Sequence, residues 1–369
     1  MKVIIVTNIP NHYRIPLFNA LHLQLKDEGI QLKVIFGAAG YAFRKHKIDL
    51  SNCQFEYEIL KEKGNKNANI SYSGLYQKLK REEPSKIVVS GFNLGTLKCF
   101  MYAWRFSKPL IIWSGSVEIG NRKTPWYKKT FRKLMIRQAT GLIAYGSLAK
   151  LNMIKLGAQP QDVTAIGNTV DTGFFEKEVQ KLRSQNKEEK KVKSLLYLGY
   201  LTPLKNLYPL IDLIEQLSLQ REDFVLDIVG DGECREELEK EVEQRKMSRF
   251  VVFHGFKQKA EVPYYLAKAD VFLFQTEADI WGLVLNEAMV SALPSLVSKR
   301  AGAAIDLIKE GETGFVVDFH EIDNVLEKLN WLLDHPIEAK RIGENAAELI
   351  KREYSMDAVA KRFKDALTG

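Results

Sequence analysis

Cysteine is scarce in this chain. Cys53, Cys99 and Cys234 stand alone in 369 residues. Odd in number, far apart and without a CxxC pair, they exclude a disulfide framework and point to a reducing compartment. No DxD triplet occurs. No apolar run approaches the ~18 residues that a membrane span needs. Met1-Lys2 leads straight into the strand-like run Val3-Ile4-Ile5-Val6, so no leader is expected. Low-complexity tracts and short repeats are lacking too. These absences leave a cytoplasmic chain, free or peripherally attached to the inner face of a membrane.

What is there is globular. With 46% apolar and 27% charged residues, the chain suits two α/β domains of ~150–180 residues each. The net charge of +8 conceals an asymmetry. Residues 1–174 carry 26 Lys and Arg against 11 Asp and Glu, a balance of +15, whereas the remainder is −7. A partner surface is therefore expected on the first half only.

Short β-rich runs alternate with helical periods. Strands are expected at 2–7, 31–36, 86–90, 109–113 and 141–145, with helices at 14–26, 72–82, 95–106, 125–138 and 147–156. In the second half, strands are expected at 194–198, 224–229, 250–253, 270–274, 294–297 and 314–317. Near-continuous apolar strands separated by helices predict parallel sheets covered on both faces. The alternation breaks at 175–193, where Lys and Glu dominate, and that stretch reads as a linker. The expected domains are 1–176 and 177–352, with a last helix, about 353–369, packing back on the first. The fold class is thus α/β, two doubly wound parallel sheets facing a cleft, with ligands at the carboxyl ends of the strands.

The strongest local signal is Asp279-Ile-Trp-Gly-Leu-Val-Leu-Asn-Glu287. It follows an apolar strand and opens a helix, whose unpaired N–H groups and positive dipole end attract a diphosphate. Gly282 lets backbone come close, and Glu287 is placed to accept hydrogen bonds from paired ribose hydroxyls. Read alone, the stretch is equally an acidic helix entry with a solvated glutamate. Leu198-Gly199-Tyr200-Leu201-Thr202-Pro203-Leu204-Lys205 forms a strand, glycine turn and helix start, where Lys205 can neutralise phosphate. Val229-Gly230-Asp231-Gly232 and His254-Gly255-Phe256 end two further strands.

In combination these segments resemble the retaining, GT-B-fold glycosyltransferases of the large group 1, or GT4, family of bacterial polysaccharide and lipid-sugar transferases. Ala301-Gly302-Ala303 and Gly311-Glu-Thr-Gly-Phe315 extend the likeness through the second half. The first half matches less specifically, through Asn8–Pro16, Ser90-Gly91, Ala144–Ala149 and Gly167–Asp171. The resemblance implies a transferase acting on a nucleotide sugar, UDP- or GDP-linked, with no cofactor and no metal. Lys205, Asp279 and Glu287 would carry the chemistry. Gly199, Tyr200, Gly230, His254, Gly255, Phe256, Ile280, Trp281, Gly282 and Leu283 would line the donor, with Trp281 as a lid under the sugar. Three positions depart from the pattern: Tyr200 stands for an arginine, Asp279 for a glutamate, and Ser114-Gly115-Ser116 where many relatives place a histidine. A sugar-nucleotide 2-epimerase on the same fold and a non-catalytic donor-binding subunit are the alternatives.

Asn8, His12 and Arg14 follow the first strand and are expected on the acceptor side. His12 is read either as a proton partner or as a surface turn histidine, and Arg14 as a phosphate neighbour. On a helix beginning near Pro125, Tyr127, Phe131, Leu134 and Met135 form one stripe, read as core. Lys128, Lys129, Arg132 and Lys133 form another. Arg122, Lys123 and Trp126 extend the basic patch, which suits an anionic membrane surface and a glycan or lipid-linked acceptor. No RNP, zinc-finger or helix-turn-helix signature accompanies the basic half, so nucleic acid is not expected as a partner.

Overall fold

Valine- and isoleucine-rich runs become the strands of two parallel sheets, one in each unit of the chain. The computed structural model describes residues 1–41, 49–61, 70–117, 124–185 and 192–369. One unit is Met1–Thr169 together with Met356–Gly369, and the other is Val170–Ser355. The division falls at Thr169/Val170, seven residues before the expected boundary at 176.

The first unit opens with β1 (Lys2–Thr7), α1 (Arg14–Lys26), β2 (Gln31–Phe36), β3 (Glu56–Ile59) and α2 (Leu75–Glu82). It continues through β4 (Lys86–Ser90), α3 (Leu94–Arg105), β5 (Leu110–Ser114) and α4 (Trp126–Gln138). Then come β6 (Gly141–Ala144), α5 (Ser147–Lys155) and β7 (Val163–Ala165). The strand order is β3-β2-β1-β4-β5-β6-β7. Order reverses between β1 and β4, so the loops after these two strands border the crevice where such sheets take ligands. Alternation within β1 divides its side chains between two cores. Ile4 and Val6 join Leu75, Leu79 and Cys99 on one face, while Val3 and Ile5 join Leu17, Phe18 and Trp113 on the other.

The second unit begins with α6 (Thr172–Gln185), β8 (Lys193–Leu198), α7 (Tyr208–Ser218), β9 (Phe224–Val229) and α8 (Arg235–Gln244). β10 (Val251–Gly255), α9 (Val262–Lys268), β11 (Val271–Phe274), α10 (Leu283–Val290) and β12 (Ser295–Ser298) follow. α11 (Ala304–Leu307), β13 (Phe315–Val317), α12 (Ile322–Asp334) and α13 (Pro336–Glu353) complete it. Its order, β10-β9-β8-β11-β12-β13, reverses between β8 and β11. After it the chain adds α14 (Met356–Thr368), whose buried Val359, Ala360, Phe363 and Leu367 belong to the first unit's core. Phe363 meets the Trp113 ring at 4.8 Å.

The expected linker needs correcting. Residues 175–185 are helix α6, because Phe175 and Val179, one turn apart, bury themselves against α9 and α10. Glu188 to Lys191 lie outside the described residues. The reading of α4 changes as well. Met135 and Ile136 are its buried residues, while Tyr127 and Leu134, expected in the core, face solvent.

Candidate functional site

At the reversal point of the second sheet, the turns after β8 and β11 stand side by side. Backbone packing there is tight. Gly230 has φ +153°, and a Cβ on it would lie 1.7 Å from the Gly199 carbonyl oxygen. Gly282 has φ +92°, and a Cβ would run into the Phe274 ring at 2.3 Å. Only glycine fits either position. Gly199 and Leu201 donate to the carbonyls of Val229 and Asp231, which locks the β8 turn to the β9 turn. Gly302 donates to Asp279 O and Ala303 to Trp281 O, which holds the β11 loop against the segment leading to α11.

These constraints bring Lys205 and Asp279, 74 residues apart, into a direct ion pair. Lys205 Nζ also lies 3.5 Å from Thr276 Oγ1 and 5.6 Å from the centre of the Phe274 ring. The other carboxylate oxygen of Asp279 accepts from the Trp281 amide at 3.1 Å. The cation is therefore oriented before any anion arrives. Gly282 caps α10, Leu283 is the first residue of that helix, and Ile280 is exposed beside it. Tyr200 is exposed on the β8 turn.

Glu287 sits in the second turn of α10 and belongs to a different charge environment. Part of its side chain reaches solvent, yet the surrounding protein desolvates the carboxyl and pushes it up to about 8, with Lys259 pulling the other way. Lys259 in turn pairs with Asp171 at 2.7 Å and lies over the Phe174 ring. Lys259 did not stand out in the sequence, and Asp171 did so only as the end of the Gly167–Asp171 segment.

Two of the expected donor-lining residues have their side chains engaged within the unit. Trp281 is only 3% exposed, donates from Nε1 to Asn286 at 2.8 Å and packs on Tyr354, so it is core and presents no face to a sugar. The His254 ring turns into the unit, where Nε2 lies 2.7 Å from the buried Asp227. Asp227 also accepts from Ser194 and Lys268 at 3.0 Å. What remains for a ligand at that turn is Gly255, the half-buried Phe256 and the backbone.

A further network lies at the ends of β11, β12 and β13. Glu277 meets His320 at 2.6 Å and Arg300 at 3.4 Å, and Arg300 reaches Asp318 at 2.6 Å. Burial opposes ionisation of Glu277, but the hydrogen bond from His320 and the charges of His320 and Arg300 hold it below the usual carboxylate range. Arg300, then Lys299, hold Asp318 far lower. Asn206 and Gln275 donate to Glu277 at 3.4 and 3.3 Å, which ties this network to the turn carrying Lys205.

In the first unit the reversal point gathers Asn8 and Asn93, joined at 3.2 Å. Asn8 also accepts from Tyr72, so its side chain holds the loop. Asn93 caps α3 in a reciprocal pair with Thr96. His12 is half-buried, edge-on to Tyr13. Arg14 is buried against aromatic rings. On α4, Trp126, Lys128, Lys129 and Lys133 are exposed, whereas Arg132 leans over Phe92 at 5.9 Å. Arg122 and Lys123 lie outside the described residues. No helix among the described residues is long and apolar enough to cross a membrane.

Residues 178–349 match the family model described as glycosyl transferases group 1. Among curated proteins, the chain is 28% identical over 169 residues to the alpha-D-kanosaminyltransferase of Streptomyces kanamyceticus, covering 46% of this chain and 44% of that protein. It is 31% identical over 194 residues to the sulfoquinovosyl transferase SQD2 of Arabidopsis thaliana, covering 52% and 36%. The match thus spans less than half the length of either relative. Among solved structures, Anabaena HepE in complex with UDP superposes over 100% of both chains with a TM-score of 0.80 at 18% identity. The two-sheet architecture is that of the GT-B glycosyltransferases.

Proposed function

Because residues 178–349 match the glycosyl transferases group 1 model, we propose that this chain is a retaining, metal-independent hexosyltransferase using a UDP- or GDP-linked sugar. Its acceptor is a glycan or lipid-linked glycan at the inner face of a membrane. The observation that carries the reading is the Lys205–Asp279 pair, set at the reversal point of the second sheet beside the start of α10. A diphosphate placed there meets the Lys205 ammonium and the unpaired amides of the helix start. As the bond from the anomeric carbon to the diphosphate oxygen breaks, negative charge grows on the phosphates, and these donors stabilise it without reorganising. The acceptor hydroxyl bonds to the same face of the anomeric carbon, and its proton leaves with the departing phosphate. Glu287 holds the ribose hydroxyls.

Support for a membrane acceptor comes from the first unit. On α3, Leu94, Leu97, Met101 and Trp104 follow helical spacing, and all are exposed, Trp104 by 74%. α4 packs beside α3 and adds Trp126, 79% exposed, together with Tyr127 and Leu134. Arg105, Lys128, Lys129 and Lys133 lie on the same two helices. Exposed apolar side chains and cations on neighbouring helices suit an anionic bilayer surface.

The test is a thermal-shift panel of UDP- and GDP-sugars, beginning with UDP-glucose, followed by nucleotide release with and without EDTA. A ligand at 100 times its Kd adds about 2.7 kcal/mol of stability. Release should depend on acceptor, survive EDTA, and fall by about two orders of magnitude or more in Lys205→Ala, whose barrier should rise by ~2.7–4 kcal/mol. Wild-type turnover in Lys205→Ala would remove its phosphate role. Epimerised sugar without nucleotide release would place the chain with the epimerases.

A further inference from the structure

A guanidinium carries five N–H donors and keeps its charge throughout the physiological range. Buried arginines therefore sit on carboxylates or carbonyls, and even half-buried ones here do. Arg183 donates to the carbonyls of Leu266 and Ala267, Arg245 meets Asp212, and Arg300 meets Asp318. Arg14 differs. It is 6% exposed, and its guanidinium carbon lies 4.1 Å from the Trp113 ring centre, 4.8 Å from that of Tyr145 and 5.2 Å from that of Tyr13. Among the described residues no carboxylate and no hydrogen-bond acceptor meets its guanidinium. Aromatic rings interact with its charge but accept none of its in-plane N–H groups, and that edge is the one that matches an oxyanion two bonds at a time.

The same cluster holds a second unspent donor. Trp113 is buried, and its Nε1 has no acceptor. A buried donor without a partner is costly in a folded chain, and here one stands beside a guanidinium that no acceptor among the described residues meets. Their position says what. Arg14 follows the β1 loop, Trp113 is in β5 and Tyr145 directly follows β6, so all three stand toward the carboxyl ends of the first unit's strands. Ligands of such sheets sit at that edge, in the half of the sequence whose balance is +15.

We infer that Arg14, boxed by Tyr13, Trp113 and Tyr145, is a phosphoryl-binding subsite of the first unit. This rests on the transferase reading only for its purpose, since a phosphoryl group reaches such an enzyme either on the acceptor or within the donor diphosphate.

Inorganic phosphate is the probe, titrated calorimetrically into the full chain carrying Lys205→Ala, so that the cation of the second unit does not contribute. Phosphate should bind, and adding Arg14→Gln should weaken it by about tenfold or more. Arg14→Lys, which keeps a buried charge and loses the fork, should fall between and guards against a folding defect in the Gln variant. Repeating the titration with saturating UDP separates the sources. Additive binding assigns the subsite to an acceptor phosphate, and displacement assigns it to the donor. Absence of phosphate binding, or equal affinity in all three Arg14 forms, overturns the subsite. A chain that binds phosphate through Arg14 yet no nucleotide sugar keeps the subsite and loses the transferase reading.

Discussion

Glu287 shows most directly how a single residue links site and stability. Its folded value near 8 lies well above the ordinary 4.5. Between those values the folded chain holds a proton that the unfolded chain has released, so stability should fall as pH rises through this window and level off above it. Glu287→Gln should flatten that slope, as read from melting temperatures at a series of pH values; an unchanged slope assigns it to another group. If the carboxylate is what receives the ribose hydroxyls, UDP binding near pH 7 should also release a proton. The calorimetric heat would then vary with the ionisation enthalpy of the buffer, and the dependence should vanish in Glu287→Gln, with affinity weaker by ~1–3 kcal/mol. The glutamate itself was readable, standing eight residues after Asp279 at a helix start. Its electrostatic partner was not. Lys259 looks like any solvated lysine until the fold turns the β10–α9 connection toward α10.

At the scale of elements, patterning located most strands because buried parallel strands are continuous apolar runs. β3 and β7 were missed. Glu56-Tyr57-Glu58-Ile59 is an edge strand whose charges answer Lys33, and Val163–Ala165 has only three residues. α6 was mistaken for a linker because its Lys and Glu content hides two core residues. The exposed stripe on α3 was missed too, since helical periodicity does not tell which face meets the core. That stripe makes the docking surface testable in two parts. Lys128, Lys129 and Lys133 to Glu should lower co-sedimentation with anionic vesicles and remove most of its salt dependence. Met101→Asp with Trp104→Asp should lower it at high salt as well, because the apolar contribution is not screened. Equal recovery of all forms in the supernatant, at every salt and lipid composition, would end the membrane reading. Arg132 is left in place, since it leans over Phe92 inside the unit.

For the whole molecule, the division at Thr169/Val170 and Ser355/Met356 makes the first unit discontinuous. Its closing helix lays Phe363 on Trp113 and Leu367 in the same core. Arg362 donates to the Ile166 carbonyl at 2.8 Å. Removing Met356–Gly369 should therefore destabilise the first unit by several kcal/mol, since burying one large apolar side chain contributes roughly 1.5–3, while leaving the second close to native. Calorimetric melting should show one transition shifted down and one retained. A uniform shift of both would mean that the two units unfold as one.

The same discontinuity sets an order on synthesis. By the time the ribosome has made Thr169, seven strands of the first sheet have been translated, but the face holding Trp113 still lacks its cover. About 200 residues separate that point from the end of α14, which supplies the cover. At ~5–20 residues per second the wait is about 10–40 s. Meanwhile the second unit, continuous in the chain, emerges and is free to fold. The half translated first is thus the half finished last, and for those seconds its uncovered apolar face is what a nascent-chain chaperone would meet.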